Sequence, residues 1–200
     1  FYRNPSHAMH VVGITGTNGK TTTSRIIAQL TRALGKPCGV IGTLGATLQD
    51  DVSTADNTTP DPLALQRQLA LWLAQDVFVV CMEVSSHALA QGRVNGVEFA
   101  TAVYTNLSHD HLDYHGSMDA YARAKLRLFA NESLRHAVIN ADDQFSSQVR
   151  AAVAPGVQVL TYSTSGAAAD MWIENARFQA DGVRGELHSP WGVAEFFSPL

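Results

Sequence analysis

The sequence predicts an α/β fold, a mostly parallel sheet flanked by helices, and three observations carry that prediction. From His10 onward, short β-rich apolar runs alternate with amphipathic segments. Several of those runs are apolar without interruption, as strands covered on both faces are. A glycine-rich turn joins the first run to the first amphipathic segment.

Taken in order, Val11-Val12-Gly13-Ile14 is the first strand, and a helix is expected from about Thr21 to Leu34. Gly35 provides a C-cap there, and Pro37 blocks continuation. Gly39-Val40-Ile41-Gly42 reads as a second strand. A helix from Pro62 to about Ala74 opens on a proline, which suits a first turn, and Leu63, Leu65, Leu69 and Leu73 supply its apolar face. Val77 to Met82 and Phe99 to Tyr104 are central strands. A helix from about Ser117 to Ala130, a strand at His136 to Asn140, a helix near Gln144 to Ala152 and a strand at Val157 to Tyr162 complete the alternation. From Met171 to Phe197, β-like segments are separated by Asp181-Gly182 and Pro190-Trp191-Gly192. That pattern predicts hairpins in a small antiparallel sheet toward the C-terminus.

The 200 residues suffice for one large domain with a full core. With 14 basic against 18 acidic residues, the chain offers no cationic surface to displace counterions, so no nucleic-acid partner is expected. No apolar stretch reaches transmembrane length and no signal peptide opens the chain, so membrane insertion is not expected either. Cys38 and Cys81 lie in apolar runs and read as buried thiols of a reducing compartment. The opening Phe1-Tyr2-Arg3-Asn4-Pro5 carries no initiator methionine, and the chain stops on Phe196-Phe197-Ser198-Pro199-Leu200. Both ends suggest an excised domain of a longer protein.

Between the first strand and first helix stands Gly13-Ile14-Thr15-Gly16-Thr17-Asn18-Gly19-Lys20-Thr21. Glycines there let backbone N–H groups converge on anionic oxygens, and the helix N-terminus adds a favourable field. Lys20 is placed for the β and γ phosphates of a nucleoside triphosphate, and Thr21 for a magnesium ion. The usual Walker A spacing puts glycine where Ile14 stands, so this is a variant loop.

Three further segments follow strands or lie on a helix. Glu83, in Met82-Glu83-Val84-Ser85-Ser86-His87, is a hard oxygen donor for magnesium; alternatively it caps a following short helix. His109, His111 and His115 invite a zinc reading, but their run lacks the helical H-x-x-x-H arrangement with glutamate, and a triphosphate implies magnesium. Lys125 shares a helical stripe with Met118, Ala122 and Phe129, a position facing the interior or a cleft. Desolvation there favours a neutral amine, able to act as a nucleophile or to form a carbamate with carbon dioxide; a lysine snorkelling over apolar surface explains the stripe equally well.

The blocks GTNGKTTT, DNTTP, MEVSSHALAQGR, TNLSHDHLDYHG, YARAKLRLF and INADD, in this order and spacing, resemble the central domain of the bacterial Mur ligases. Within them they are most similar to the member that adds the third residue of the cell-wall peptide. The resemblance covers nearly all the chain, from about His10, and implies residues 1–200 as a central ATPase domain truncated at its C-terminal end. N-terminal uridine-binding and C-terminal domains would lie outside it. It implies a cytoplasmic, monomeric, ATP- and Mg2+-dependent ligase in peptidoglycan precursor synthesis. Its partners would be a UDP-N-acetylmuramoyl dipeptide and a diamino acid, meso-diaminopimelate ahead of L-lysine.

Residue by residue, the resemblance assigns Gly16, Thr17, Asn18, Gly19, Lys20, Thr21 and Thr22 to the triphosphate, and Asn140 and Asp142 to the nucleotide near its base. Thr21 and Glu83 would hold magnesium, His111 a second magnesium, and Lys125, as a carbamate, would support the metal–phosphate site. Lys20, His111 and Lys125 form the implied catalytic set. Thr58, Thr59, Ser85, Gln91 and Arg93 match residues that hold the nucleotide-sugar dipeptide. His109 stands where relatives often carry arginine. The alternatives are another Mur or folylpolyglutamate-type ligase, or a P-loop ATPase without ligase activity, which would leave His111 and Lys125 idle.

Overall fold

The computed structural model describes residues 2–48, 51–53, 57–166 and 168–199. Asp56, the first residue of the DNTTP block, lies outside them. Among the described residues, eleven strands form one sheet: β1 (His10–Thr15), β2 (Cys38–Gly42), β3 (Gly45–Leu48), β4 (Asp51–Ser53), β5 (Val79–Glu83), β6 (Thr101–Tyr104), β7 (His136–Asn140), β8 (Gln158–Ser163), β9 (Met171–Gln179), β10 (Gly182–Ser189) and β11 (Gly192–Ser198). Their order is β11-β10-β9-β8-β7-β6-β1-β5-β2-β3-β4. From β2 through β5, β1, β6, β7 and β8 to β9 neighbours run parallel, with β8 meeting β9 at Tyr162 and Met171. The antiparallel C-terminal strands therefore occur where the turns predict them, and they continue the parallel sheet. A second antiparallel extension, β2-β3-β4, was not anticipated. Its strands have four and three residues, too few to show a period of two.

The helices are α1 (Lys20–Ala33), α2 (Pro62–Leu73), α3 (Ser86–Ala90), α4 (Leu112–His115), α5 (Met118–Phe129) and α6 (Ser146–Ala152), preceded by a 3-10 turn at Pro5–Ala8. The uninterrupted apolar strands serve two cores, because alternate side chains leave opposite faces of the sheet. Val12, Ile14, Cys38, Val40, Cys81 and Val103 pack with Ala28 of α1. Val11, Ile41, Val80, Met82 and Ala102 pack with Leu65, Leu69 and Trp72 of α2, Leu89 of α3 and Leu128 and Phe129 of α5. Cys38 and Cys81 are free, buried thiols with sulfurs 3.8 Å apart. The hydrogen bond with Cys38 and then burial push the Cys81 thiol up, which keeps it protonated.

Helix α2 starts where it does because the Asp61 carboxylate accepts from the N–H groups of Leu63 (2.9 Å) and Ala64 (3.0 Å) while Pro62 needs no acceptor. Asp61→Ala is expected to lower stability by about 1 kcal/mol, read from the urea midpoint at unchanged m-value.

The chain places β2 and β5 on one side of β1, then crosses to lay down β6, β7 and β8 on the other. Open α/β sheets bind ligands at such a reversal, beyond the carboxyl ends of the strands. The segments following β1, β2, β5 and β6 all gather there.

Candidate active site

The turn after β1 feeds α1 through Gly19, which is left-handed (φ 85°) and offers no side-chain cap. The first-turn N–H groups of this 14-residue helix are thus open to an anion. Gly16 holds φ 153° against β6's outgoing chain, where an added Cβ would lie 1.9 Å from Thr105 Oγ1. Only glycine passes there. Thr105 Oγ1 donates to Asn18 O (2.7 Å), and Asn106 accepts from the N–H groups of Thr17 (2.9 Å) and Asn18 (3.0 Å). The loop is therefore shaped by the segment after β6, and those two N–H groups are committed to that scaffold. Thr22 is exposed in the first turn of α1.

Lys20 Nζ folds over the loop and donates to Gly16 O (2.9 Å) and Thr17 O (2.7 Å). Burial lowers its pKa, opposed by the charges of Glu83 and Asp110. Lys125 Nζ reaches the same Gly16 carbonyl from α5 (2.8 Å) and lies 4.4 Å from the centre of the Tyr121 ring. The stripe containing Ala122, Lys125 and Phe129 is buried, with Lys125 only 2% exposed, so this lysine does not snorkel. Desolvation, helped by the charge of Lys20, brings its pKa down to about 7.

Glu83 is 1% exposed at the end of β5. One carboxylate oxygen accepts from the Thr43 N–H (3.1 Å), the other from the hydroxyls of Thr21 (2.9 Å) and Thr43 (3.1 Å). It does not cap α3; Ser85 does, accepting from the Ala88 N–H (3.1 Å). Among the described residues Glu83 makes no ion pair. A buried carboxylate held by neutral donors beside a hydroxyl is a donor set that fits a hard divalent cation. The residues present therefore fit magnesium.

A cavity of about 340 Å³ opens over this floor, lined by Lys20, Thr58, Thr59, Ser85, Arg93, His111 and Lys125 among others. Seven residues singled out in the sequence thus meet at one place. Gln91 joins through Arg93, whose Nε donates to Gln91 Oε1 (2.8 Å), while Arg93 also donates to Thr59 O (2.9 Å). Thr59 donates to Glu83 O (2.9 Å), tying this group to the cation donors. His109 is exposed on the following loop. A larger hollow of about 510 Å³, with His10, Lys36, Phe78 and Arg135, lies by the beginnings of β1 and β5, away from the loop and its lysines.

Asn140 and Asp142 stand apart from the cavity lining. Asn140 donates to Thr105 O (2.7 Å) and accepts from the Asp142 N–H (3.0 Å). Both oxygens of Asp142 are taken up by Ser163, Thr164 and Ser165, which hold its carboxyl below the usual carboxylate range. Residues that sequence reasoning missed include Thr43, His87, Asn106 and Tyr121. Thr43 directly follows β2, so the strand-end rule that flagged Glu83 also points to it.

The family model described as the Mur ligase middle domain matches residues 14–200. A UDP-N-acetylmuramoyl-L-alanyl-D-glutamate--2,6-diaminopimelate ligase of Ectopseudomonas mendocina (strain ymp) is 48% identical over 200 residues, covering 100% of this chain and 41% of that protein. The protein of the same name from Pseudomonas aeruginosa is 46% identical over 200 residues, with the same coverage. A solved structure, also titled as that ligase, superposes with a TM-score of 0.90 at 40% identity, covering 96% of this chain and 39% of the other. The chain spans about two fifths of the length of these relatives. Strand order, phosphate loop and family match agree, and the chain belongs to the Mur ligase middle-domain family.

Proposed function

We propose that this chain is the ATP-binding part of a cytoplasmic ligase that adds a diamino acid, meso-diaminopimelate, to the D-glutamate γ-carboxylate of UDP-N-acetylmuramoyl-L-alanyl-D-glutamate. The observation that carries this reading is the meeting of Lys20 and Lys125 with Thr59, Ser85 and Arg93 around one cavity, to which Glu83, and Thr21 through it, are tied by hydrogen bonds from Thr43 and Thr59. The name and identity of the relatives support the choice of donor and acceptor over a folylpolyglutamate-type activity. A bare ATPase would have no use for the donor-side residues.

A donor carboxylate oxygen attacks the γ-phosphorus of ATP and ADP leaves, giving an acyl phosphate. The incoming amine then attacks the acyl carbon, loses a proton, and phosphate departs with that donor oxygen. Both reactants of the first step are anions, so alignment and charge neutralisation supply most of the rate. Lys20 would exchange two neutral carbonyl partners for anionic phosphoryl oxygens, a stronger hydrogen bond. Arg93 and the hydroxyls of Thr58 and Ser85 would hold the donor against that phosphoryl group, with Thr59 fixing Ser85 by accepting from its N–H (3.1 Å). Magnesium, when bound, supplies positive charge beside the β and γ phosphates; Thr21 and Glu83 would hold it, with His111 serving a second ion. Lys125, neutral in part near pH 7, would add carbon dioxide and release one proton, becoming an anionic carbamate oriented by α5.

The test is phosphate release by the full-length protein with ATP, Mg2+ and the UDP-linked dipeptide, comparing no amine, L-lysine and meso-diaminopimelate. Release is expected to need both donor and meso-diaminopimelate. Equal release with neither would put a simple ATPase in its place.

A further inference from the structure

His111 has to present its ring to the cavity from an awkward backbone. It is left-handed (φ 52°, ψ 27°), a conformation uncommon outside glycine, and it is followed by the single turn α4. A lone turn of helix has no stability of its own, so its place is set by what ties it down. Two side chains of α4 reach α3. Tyr114 Oη accepts from Gln91 Nε2 (3.0 Å) at the C-terminal end of α3, and His115 Nε2 pairs with Ser86 Oγ (2.9 Å) at its first residue. Between these ties His87 of α3 packs on the Tyr114 ring (4.2 Å) and meets the His111 ring edge to face (4.9 Å). Asp110 lies beside His111 (3.5 Å), and Tyr121 of α5 faces it across 5.8 Å.

The other side of α3 belongs to the donor cluster. Gln91 accepts from Arg93, and Arg93 holds the Thr59 carbonyl. A continuous path of direct contacts therefore runs from Thr59 through Arg93, Gln91 and Tyr114 to His87 and His111. We infer that Tyr114 and His115 are positioning residues that couple occupation of the donor site to the placement of His111. A donor that orders Arg93 and Gln91 also orders the Tyr114 hydroxyl, and the α4 turn with it. Donor and divalent cation then bind cooperatively, each strengthening the other by the same factor. Neither Tyr114 nor His115 needs to touch the reacting atoms for this. The inference rests on the ligase reading given above.

The test is Mn2+ binding to the full-length protein, followed by electron paramagnetic resonance in the presence of a non-hydrolysable ATP analogue, with and without the UDP-linked dipeptide. In the wild type the dipeptide is expected to tighten Mn2+ by about tenfold. Tyr114→Phe keeps the ring and removes only the hydroxyl; it is expected to bind Mn2+ as the wild type does without dipeptide, and to show less than about a threefold gain with it. Ser86→Ala, which cuts the second tie from the α3 side, is expected to do the same. A gain in both variants equal to that of the wild type, or no gain in a wild type that binds the dipeptide, overturns the coupling and leaves the ligase reading standing. A wild type that binds no dipeptide overturns both.

Discussion

Lys125→Met is expected to produce a protein that folds more stably and no longer ligates. The wild-type amine is 2% exposed, shares the Gly16 carbonyl with Lys20, and has its pKa brought down to about 7 from 10.5. Between those two values the unfolded chain holds a proton that the folded chain does not, so stability rises with pH across the window. Below pH 7 the buried site must carry a second positive charge beside Lys20, and the cost is then fully present. Methionine fills the volume without that charge, so its gain in melting temperature should be larger at pH 6 than at pH 9, in bicarbonate-free buffer. The same substitution removes the proposed carbamate, and amine-dependent phosphate release by the full-length protein should fall by at least about 100-fold. A 13C label from bicarbonate should appear on the wild-type chain increasingly above pH 7 and be absent from the variant. Full activity in Lys125→Met, or a label in both proteins, would remove Lys125 from the chemistry.

Gly42→Ala, outside every motif read from the sequence, is expected to damage the proposed cation site almost as severely. At the end of β2, beside β5, an added Cβ would sit 2.0 Å from Glu83 Oε1 and 2.5 Å from its carboxyl carbon. The carboxylate has to swing away, abandoning the Thr43 N–H and carrying its other oxygen off the Thr21 hydroxyl. Losing such support around a metal ligand typically costs 10- to 100-fold in affinity. Titration of the full-length protein with a non-hydrolysable ATP analogue should show a loss of about that size with Mg2+ and little change in EDTA. An equal loss in EDTA would mean that the methyl disturbs the loop itself rather than Glu83.

Much of this site could be read from the sequence because its parts are local. The phosphate loop is a contiguous run, and Lys125 stands out because a helix repeats every 3.6 residues and a cation interrupts its apolar stripe. Glu83 follows an uninterrupted apolar strand. What escaped notice depends on contacts between distant segments. Asn106 shapes the loop across 88 positions, and Thr43 reaches Glu83 across 40. The resemblance assigns Asp142 to the nucleotide near its base, and the hydrogen bonds that its oxygens accept from Ser163, Thr164 and Ser165 at the end of β8 are announced by no local pattern. The β3–β4 extension was hidden by its shortness, and the continuity of the C-terminal strands with the parallel sheet by the absence of any sequence signal for which strand β8 pairs with.

The proposed ligase reaction passes the γ-phosphoryl group of ATP to a donor carboxylate in the full-length protein. The most direct measurement is the fate of an 18O label placed in the D-glutamate γ-carboxylate of the UDP-linked dipeptide. With full-length protein, ATP, Mg2+ and meso-diaminopimelate, each phosphate released should carry one 18O from the donor, in step with peptide formed. Phosphate released at the same rate without donor-derived label would contradict the acyl phosphate, and with it the ligase assignment of this cavity.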